Sequence, residues 1–469
     1  MALSLREKND VPVGLIQTAV EGTPVKAWCS EETIRHMGFY TDELEKCKNE
    51  DYVLCTQKIE IEREKYWMKK ADDQRTDSFY KISIPGIWKG NMRDFCGTVL
   101  LEKKFFITEE QVVTPAEILM GAFTDADKIY INGICCGSSY DRYASRIYPV
   151  APGILRAGEN VVCIHLYVFR GRGGAMPGKQ YGIRFKKGKE RWLDLSGTWD
   201  AQIRKQMEYL PEKTFFNYMA SAMFNGMISP VSPYKICAVI YYQGESDVGH
   251  PNRYALEFRA LVNDWRKSWK EKQLPIIYVQ LAGFSDGNIK KQGTQWAEFR
   301  EVQRQAMEIE NTAMVQAYDV GEYNDLHPMD KKALGMRAAL AVHKLVYGEK
   351  EECTGPQVRK IRLDRDKRVY AVFDQPLQTG SKKDGCELVS EVELRKANGD
   401  YKRAYVTVDG NEICAWLSDG EEPTGIRYAW KDCPMNICLY GKRGLPVIPF
   451  IKEWGRDAIY TGKICETDR

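Results

Sequence analysis

Histidine is scarce in this chain of 469 residues, and several familiar signals are missing altogether. The five histidines leave few candidates for a general base that works at neutral pH. No apolar run approaches the ~18 residues that a membrane-spanning helix needs, which argues against a membrane protein. The sequence contains no Asn-x-Ser/Thr sequon and no Cys-x-x-Cys pair. The 14 cysteines therefore predict free thiols in a reducing compartment rather than a disulfide scaffold.

A concentrated charge of either sign is also missing. Acidic and basic residues are mixed along the chain and leave a net charge of +3, which argues against a nucleic-acid-binding protein. Apolar residues make up 43% and charged residues 28%, as in ordinary globular proteins. The segment 1–10 lacks the apolar core of a secretory signal, so we expect a cytoplasmic chain. Export of a longer protein and the oligomeric state stay open.

Changes in the apolar pattern predict three domains. Residues 206–350 alternate buried strands with amphipathic helices, which predicts an α/β domain that also includes residues 1–84. In this domain 11–16 is predicted as a strand and 331–347 as a helix ending at Gly348. Residues 85–205 are short alternating strands, typical of an antiparallel β-sandwich inserted into the α/β domain. Residues 351–469 return to β patterning and predict a C-terminal β-rich domain.

His327 is the histidine best placed for chemistry. It follows Asp325 by two residues in a loop after a predicted strand and before a predicted helix, where α/β folds place their sites. An acid this close can orient an imidazole and stabilise its charged form. The alternative from the residues alone is a loop capped by polar side chains.

Two further turns carry candidate residues. In the segment YYQGESD, the Gln243 amide can donate hydrogen bonds to an oxyanion, and Glu245 and Asp247 follow it. The alternative is a strand-to-helix turn with a capping acid. In the turn after the first strand, the backbone N–H of Gly22 can face a substrate oxygen. Together the three turns supply what acyl transfer needs, except a nucleophile.

These three turns resemble sequence blocks of the sialate O-acetylesterase family in the SGNH hydrolase superfamily. VPVGLIQTAVEGTPVKAW resembles the second block, with Glu21 in place of the first glycine of Gly-Gly-Thr. FNGMISPVSPYKICAVIYYQGESD resembles the third block, and GEYNDLHPMDKKALGMRAAL the fifth. The inserted β region with DKIYINGICCG and the terminal PTGIRYAWKDCPMNICLYGKRGLPVIPF also resemble the family, so the likeness runs from about Val11 to the end.

The resemblance implies an α/β fold: an SGNH-type doubly wound parallel sheet, its first strand missing, interrupted by a sugar-binding-like β-sandwich and followed by a C-terminal β module. It implies a serine esterase that removes O-acetyl groups from sugars, with sialic acids as the expected substrates and no metal or cofactor. His327 is the implied base and Asp325 its orienting acid, although many SGNH members use Asp-x-x-His, a spacing that falls on Asn324 here. Gly22 and Gln243 are the implied oxyanion hole. Glu245, Asp247 and Asn324 are the implied supporting residues.

The family's nucleophile block, Gly-Gln-Ser-Asn, is not found in this sequence. It should precede Val11, and no serine here lies in such a context, so no nucleophilic serine is assigned. We therefore expect the chain to be a fragment or a truncated gene product. The expected partner is an O-acetylated sugar or glycan. Two alternatives stay open: a carbohydrate-binding protein without catalysis, and an esterase for acetylated plant polysaccharide of the acetylxylan type.

Overall fold

The structure is a computed structural model. It describes residues 1–71, 79–140, 142, 144–188, 191–285, 292–323, 325–327, 330–380, 391–454 and 465–466. Over these residues the fold is mixed α/β, as the sequence predicts. The chain divides into two compact units. We call Asn49–Thr214 the sandwich unit, and Met1–Lys48 with Phe215–Arg469 the main unit.

The elements are numbered in chain order. Helices α1 to α8 span Ala2–Asn9, Glu31–Met37, Thr41–Cys47, Glu50–Ala71, Glu109–Val112, Pro251–Ser268, Gln295–Gln305 and Lys331–Tyr347. Strands β1 to β13 span Phe79–Ile84, Gly86–Ile87, Gly97–Ile107, Ala116–Met120, Phe123–Thr124, Ala126–Ile131, Ile134–Ser139, Ile147–Val150, Gly158–Val168, Gly174–Ala175, Tyr181–Phe185, Trp192–Asp194 and Gly197–Gln206. Strands β14 to β27 span Val239–Tyr241, Ile276–Val279, Thr312–Val315, Val358–Leu363, Val369–Phe373, Leu377–Thr379, Val392–Arg395, Tyr401–Arg403, Tyr405–Asp409, Glu412–Trp416, Gly425–Tyr428, Leu439–Gly441, Phe450–Glu453 and Cys465–Glu466.

The sandwich unit is built from antiparallel sheets around one core. A six-stranded sheet has the order β1-β13-β3-β9-β6-β7, and a four-stranded sheet has the order β12-β11-β4-β8. Alternate residues of these strands are buried, for example Val99 and Leu101 of β3 against Ile118 and Met120 of β4. This inward–outward alternation is what the sequence pattern predicts for a half-buried sheet.

Helix α4 covers one end of the outer face of the six-stranded sheet. Its Trp67 and Ala71 pack against Tyr167 and Phe169, and the Trp67 and Phe169 rings meet edge to face at 5.1 Å. The Trp67 indole N–H donates to the backbone oxygen of Glu208. The charged stretch that opens the unit is therefore a helix with one apolar face.

The main unit contains a three-stranded parallel sheet of order β14-β15-β16. Its central strand β15 is buried at every position, which explains the unbroken apolar run Ile276–Val279. Helix α6 packs Phe258, Leu261 and Trp265 onto one core, and α8 packs Leu334 and Ala338 onto another. The predicted helix ending at Gly348 is confirmed, because α8 ends there in a left-handed turn.

The remaining strands of the main unit form antiparallel sheets. A five-stranded sheet has the order β22-β23-β18-β17-β27, and a four-stranded sheet has the order β21-β20-β24-β26. Their buried residues share a core that includes Ile413, Ile426 and Phe450. Tyr318, from the loop after β16, belongs to the same core.

One sequence prediction is wrong. The segment 11–16 is not a strand, and Leu15 and Ile16 are exposed. An extended segment becomes a strand only when it pairs with a neighbour, and among the described residues this segment has no pairing partner. The structure divides the chain into units at Asn49 and Thr214. The domain boundaries that the sequence predicts, after residues 84, 205 and 350, stay predictions.

Candidate active site

The turn that contains Gly22 is held in place by buried side chains. The Thr23 hydroxyl donates to the backbone oxygen of Val20 at 2.8 Å and accepts from the Trp28 indole N–H at 2.9 Å. Residues 25–28 then form a short 3-10 helix whose Val25 is fully buried. Gly22 adopts φ +70°, a left-handed conformation that favours glycine.

The turn after β14 packs directly against it. Gln243 donates from its amide nitrogen to the backbone oxygen of Thr23 at 3.0 Å and to the Asp247 carboxylate at 2.6 Å. The same carboxylate oxygen accepts from the backbone N–H of Val25 at 3.0 Å. The Ser246 hydroxyl donates to the backbone oxygen of Gly22 at 2.6 Å. The two predicted turns therefore form one hydrogen-bonded unit.

Gln243 does not present a free amide donor in this arrangement. Its Nε2 has two protons, and both are directed to Thr23 and Asp247. Its Oε1 accepts from the Tyr241 hydroxyl at 3.0 Å. Gln243 thus shapes the turn, and its predicted place in an oxyanion hole requires one of these two bonds to be released. The assignment stays a prediction.

The carboxyl groups of this turn lie in an environment that disfavours their charge. Burial raises the pKa of Asp247, although Gln243 and the backbone N–H of Val25 donate to it. Burial also raises the pKa of Glu245, partly offset by its own backbone N–H and by the nearby charges of His327 and Lys331. The third predicted segment approaches the first turn through His327, whose Nε2 lies 3.8 Å from the Glu21 carboxylate.

His327 lies in a turn fixed by its own neighbour. The backbone N–H of His327 donates to the Asp325 carboxylate at 2.9 Å, the hydrogen bond of an Asx turn. Asp325 in turn donates its backbone N–H to the oxygen of Glu322 at 3.1 Å. The imidazole Nδ1 is 3.9 Å from the Asp325 carboxylate, too long for a hydrogen bond. Asp325 therefore holds the loop, and closure by about 0.7 Å, from 3.9 Å to hydrogen-bond distance, would let it orient the ring.

Glu21 lies at this site, although the sequence did not indicate a role for it. Its carboxylate lies 3.8 Å from the His327 Nε2, and both side chains are more than half exposed. The position was visible only as a departure from Gly-Gly-Thr. A second unanticipated residue is Tyr218, whose hydroxyl lies against the backbone of Gly22. Burial and then the charge of Glu21 raise the pKa of Tyr218.

The predicted residues are thus brought together in large part. Gln243 donates to Asp247, the backbone oxygen of Gly22 accepts from Ser246 in the same turn, and His327 contacts Glu21 and Asp325. Both turns with catalytic candidates follow the carboxyl ends of parallel strands, β14 and β16. Asn324 lies outside the described residues. Within the described part of the chain, no group of three or more His, Cys, Asp or Glu side chains could hold a metal ion. The described helices include none long and apolar enough to cross a membrane.

Comparison with known proteins shows what this region is similar to. Residues 201–344, which include Gln243 and His327, match the family model of carbohydrate esterases described as sialic acid-specific acetylesterases. Curated sialate O-acetylesterases match as well: the human protein at 28% identity over 264 residues and the mouse protein at 31% over 275 residues. The predicted resemblance to the sialate O-acetylesterase family is confirmed over the matched region.

The matches cover only part of each protein. The human match spans 49% of this chain and 48% of the relative, and the mouse match spans 50% and 47%. The chain therefore spans about half the length of these curated relatives. Among solved structures, a carbohydrate acetylesterase from Xanthomonas citri is 20% identical and covers 72% of this chain and 96% of its own, with a TM-score of 0.47.

Proposed function

We propose that this chain is a carbohydrate esterase that removes O-acetyl groups from sugars, with sialic acids as the first substrates to test. The observation that carries the proposal is the junction of the Gly22 and Gln243 turns, with His327 beside Glu21. The family match over residues 201–344 and the name of the curated relatives, sialate O-acetylesterase, support it. We propose also that β14 to β16 belong to an SGNH-type doubly wound sheet and that residues 351–469 form the family's C-terminal β module.

The proposed chemistry is acyl transfer through a serine. The hydroxyl attacks the acetyl carbonyl while His327 takes its proton, and the sugar oxygen leaves as the imidazolium returns that proton. Water then attacks the acyl-enzyme and releases acetate. Within the described residues the backbone N–H of Gly22 makes no hydrogen bond, so it is a ready donor for the oxyanion. No serine of this chain is assigned as the nucleophile.

A second candidate is a carbohydrate-binding protein without catalysis. One observation favours it: both amide protons of Gln243 are engaged, and the Asp325 carboxylate is 3.9 Å from the His327 ring. In a protein that only binds sugars, these groups have the structural roles seen here. Acetate release separates the two candidates.

The first test is acetate release by this chain from an O-acetylated sialoside and, in parallel, from acetylated xylan. An esterase must release acetate from the sialoside, and release by this chain would show that it contains a nucleophile, against the expected truncation. His327→Ala should then lower kcat by roughly 10³-fold or more, because general-base catalysis and nucleophile activation are lost together. His36→Ala is the matched control, since His36 is an exposed histidine at the end of α2 and should leave kcat unchanged.

Three other outcomes of the acetate-release test would change this assignment. Equal release by the His327 variant would remove the imidazole from the mechanism. Release from acetylated xylan alone would indicate that the same site belongs to an esterase of the acetylxylan type. Absence of release from both substrates would fit a carbohydrate-binding protein and equally an esterase whose nucleophile is not among these residues.

A further inference from the structure

The Tyr218 hydroxyl is a hydrogen-bond donor that the fold leaves unused beside the Gly22 turn. It lies so close to Gly22 that a Cβ added there would be 2.3 Å from it. Among the described residues it makes no hydrogen bond, whereas the hydroxyls of Tyr181 and Tyr278 donate to backbone oxygens. The Tyr218 O–H is therefore available to a bound molecule.

The segment around Tyr218 is held by the same turn that carries Gly22. The backbone N–H of Ser221 donates at 3.1 Å to the backbone oxygen of Lys26, which lies in the short helix that follows Gly22. The Tyr218 ring is stacked on the ring of Phe215, with 5.0 Å between the centroids and 21° between the planes. Backbone and ring are both fixed, so the hydroxyl keeps its place beside Gly22 without a hydrogen bond of its own.

Two donors lie together at this glycine. The backbone N–H of Gly22 makes no hydrogen bond within the described residues, and the Tyr218 hydroxyl lies against the same residue. A Cβ is about 2.5 Å from the nitrogen of its own residue, so the hydroxyl oxygen is at most about 5 Å from the Gly22 nitrogen. Two donors that share one acceptor oxygen, each at about 2.9 Å, are themselves up to roughly 6 Å apart. The spacing therefore allows both donors to bond one oxygen atom.

This pair of donors offers what the Gln243 side chain does not. Both amide protons of Gln243 are directed to Thr23 and Asp247, and these bonds hold the two turns together. Donors stabilise an oxyanion best when they are in place before the charge develops, because nothing then has to be rearranged. Gln243 would have to break a bond to take part, whereas the Tyr218 hydroxyl would not.

The site favours the protonated form of Tyr218, which is the form that donates. Burial, and then the nearby charge of Glu21, raise the pKa of Tyr218 above its ordinary value of 10. The hydroxyl therefore keeps its proton throughout the pH range in which an imidazole can act as a base. The Glu21 carboxylate also lies 3.8 Å from the Nε2 of His327, so the hydroxyl and the proposed base approach the same short stretch of chain.

We propose that the Tyr218 hydroxyl is a catalytic donor of the oxyanion hole, which bonds the acetyl carbonyl oxygen together with the backbone N–H of Gly22. This role rests on the proposed esterase function and adds to it a residue that the sequence did not indicate. As the nucleophile bonds the carbonyl carbon, the π electrons of the carbonyl move onto its oxygen, and both donors keep their protons while they stabilise the charge. Gln243 keeps both of its bonds in this arrangement.

The experiment uses the full chain with a methyl sialoside and a methyl xyloside, each carrying one ¹³C-labelled O-acetyl group. Infrared difference spectra give the C=O stretch of the bound ester, whose frequency falls when donors bond the oxygen. This band needs no turnover, so the result does not depend on which residue is the nucleophile. Acetate release is followed in the same samples.

In Tyr218→Phe we expect the C=O band of the bound ester to move to higher frequency than in the parent chain. Wherever the parent releases acetate, kcat should fall about 10²–10³-fold, as for the loss of one oxyanion donor. KM should change little, because the bond strengthens mainly as charge develops in the transition state. The variant removes only a hydroxyl that has no partner among the described residues, so it should fold as the parent does.

Tyr234→Phe is the matched control, because Tyr234 is an exposed tyrosine of the same unit. It should leave both the band and kcat unchanged. If an ester binds to Tyr218→Phe with the band and the release rate of the parent, the inference is overturned and the proposed function stands. If the parent chain neither binds nor hydrolyses either ester, the proposed function fails and the inference fails with it.

His327→Ala separates the base from the donor. It should lower any acetate release but keep the low-frequency band of the bound ester, because a general base is not needed to hold the carbonyl. Loss of that band in His327→Ala but not in Tyr218→Phe would place the carbonyl oxygen at the imidazole and overturn the inference.

Discussion

At the residue scale, two separate features of the structure require glycine at position 22. Its φ of +70° is one that a side chain adopts only with strain, and an added Cβ would lie 2.3 Å from the Tyr218 hydroxyl. Gly38, at the end of α2, has nearly the same φ of +73° but no atom within 4 Å of its Cβ position. Comparing substitutions at Gly22 and Gly38 therefore separates the cost of backbone strain from the cost of the steric conflict with Tyr218.

We expect Gly22→Ala to destabilise the chain more than Gly38→Ala does. Both variants should lose about 1–2 kcal/mol from the left-handed backbone, and Gly22→Ala a further ~1–3 kcal/mol from the displaced tyrosine. Urea unfolding of the two variants measures the difference. Equal losses would mean that Tyr218 moves aside freely and does not confine the turn.

Glu257 is a buried acid of helix α6 near the Asp247 turn. It is 1% exposed, and among the described residues its Oε1 finds no hydrogen-bond partner. Burial raises its pKa to about 7, an effect that hydrogen bonding to Tyr40 reduces and the charge of Asp247 increases. Because the folded pKa exceeds the ordinary value of 4.5, the folded state holds its proton more tightly than the unfolded state does.

This difference predicts a pH-dependent stability. The free energy of unfolding should fall as pH rises from about 4.5 to about 7, because only the unfolded chain readily releases the proton. A gap of about 2.5 pH units corresponds to roughly 3 kcal/mol at most. Glu257→Gln should reduce that fall, leaving the part due to the raised pKa values of Asp247 and Glu245, and Glu310→Gln, at an exposed acid, should retain it in full. Denaturant unfolding at pH 4.5 and pH 8 is the measurement, and identical pH profiles for parent and Glu257→Gln would contradict the prediction.

The residue identities of the site could be taken from the sequence, but their partners could not. The spacing of Asp325 and His327 suggested an acid oriented toward the ring, whereas the local Asx turn brings the backbone N–H of His327 to that carboxylate. Gln243 was chosen for its donors, and those donors are used by Thr23 and Asp247. The contact between Gln243 and Thr23 joins residues 220 positions apart and leaves no periodic pattern in the sequence.

At the scale of elements, a buried ion pair joins the two main sheets of the sandwich unit. Arg146, just before β8 of the four-stranded sheet, donates to Asp127 of β6 in the six-stranded sheet at 2.7 Å. Neither side chain is exposed to solvent. Arg146 also donates to the backbone oxygen of Phe123. Such a pair adds little net stability when intact, but an unpaired buried charge is strongly unfavourable.

We expect Asp127→Asn to lower the free energy of unfolding by about 3–5 kcal/mol, because the Arg146 guanidinium is left without its counter-ion. Glu159→Gln, which breaks the exposed pair with Lys104, should lower it by only ~0–1 kcal/mol. Replacing both partners, Asp127→Leu with Arg146→Met, should recover most of the loss. A loss in Asp127→Asn no greater than in Glu159→Gln would contradict burial of the pair.

Elements with a strong local period could be predicted, and those that depend on a partner could not. The apolar spacing of Tyr254, Phe258 and Leu261 indicated α6, and Gly348 marked the end of α8. The segment 11–16 carried an equally strong strand pattern, yet it forms no strand. Helix hydrogen bonds are made within the segment, whereas a strand needs another strand at the correct distance.

At the scale of the whole molecule, the sandwich unit is one continuous stretch of chain with its own core. Its buried residues run from Ile84 to Ala201 in one cluster, and α4 adds a second cluster through Trp67. The sequence placed the start of this domain at residue 85 because the alternating pattern begins there. It could not assign α4, whose apolar face is narrow and whose packing partners lie about 100 residues away.

We expect residues 49–214, expressed alone, to fold and unfold cooperatively, since the size and core are those of an independent domain. The segment 85–205 lacks α4, β1 and Leu210, so it should be less stable by at least roughly 3–5 kcal/mol, the cost of removing a buried tryptophan alone. Thermal unfolding followed by circular dichroism compares the two. Equal stability of the segments would make α4 dispensable and support the boundaries predicted from sequence.

The hydrogen bond from Gln243 to Thr23 joins residues 220 positions apart. On a ribosome that adds about 5–20 residues each second, the Gly22 turn waits roughly 10–40 s after synthesis for the segment that holds it. The whole sandwich unit emerges in that interval and can complete its core before the turn has a partner. Leu15 and Ile16, close to this turn in sequence, are exposed. We therefore expect the nascent main unit to need a chaperone most during this interval.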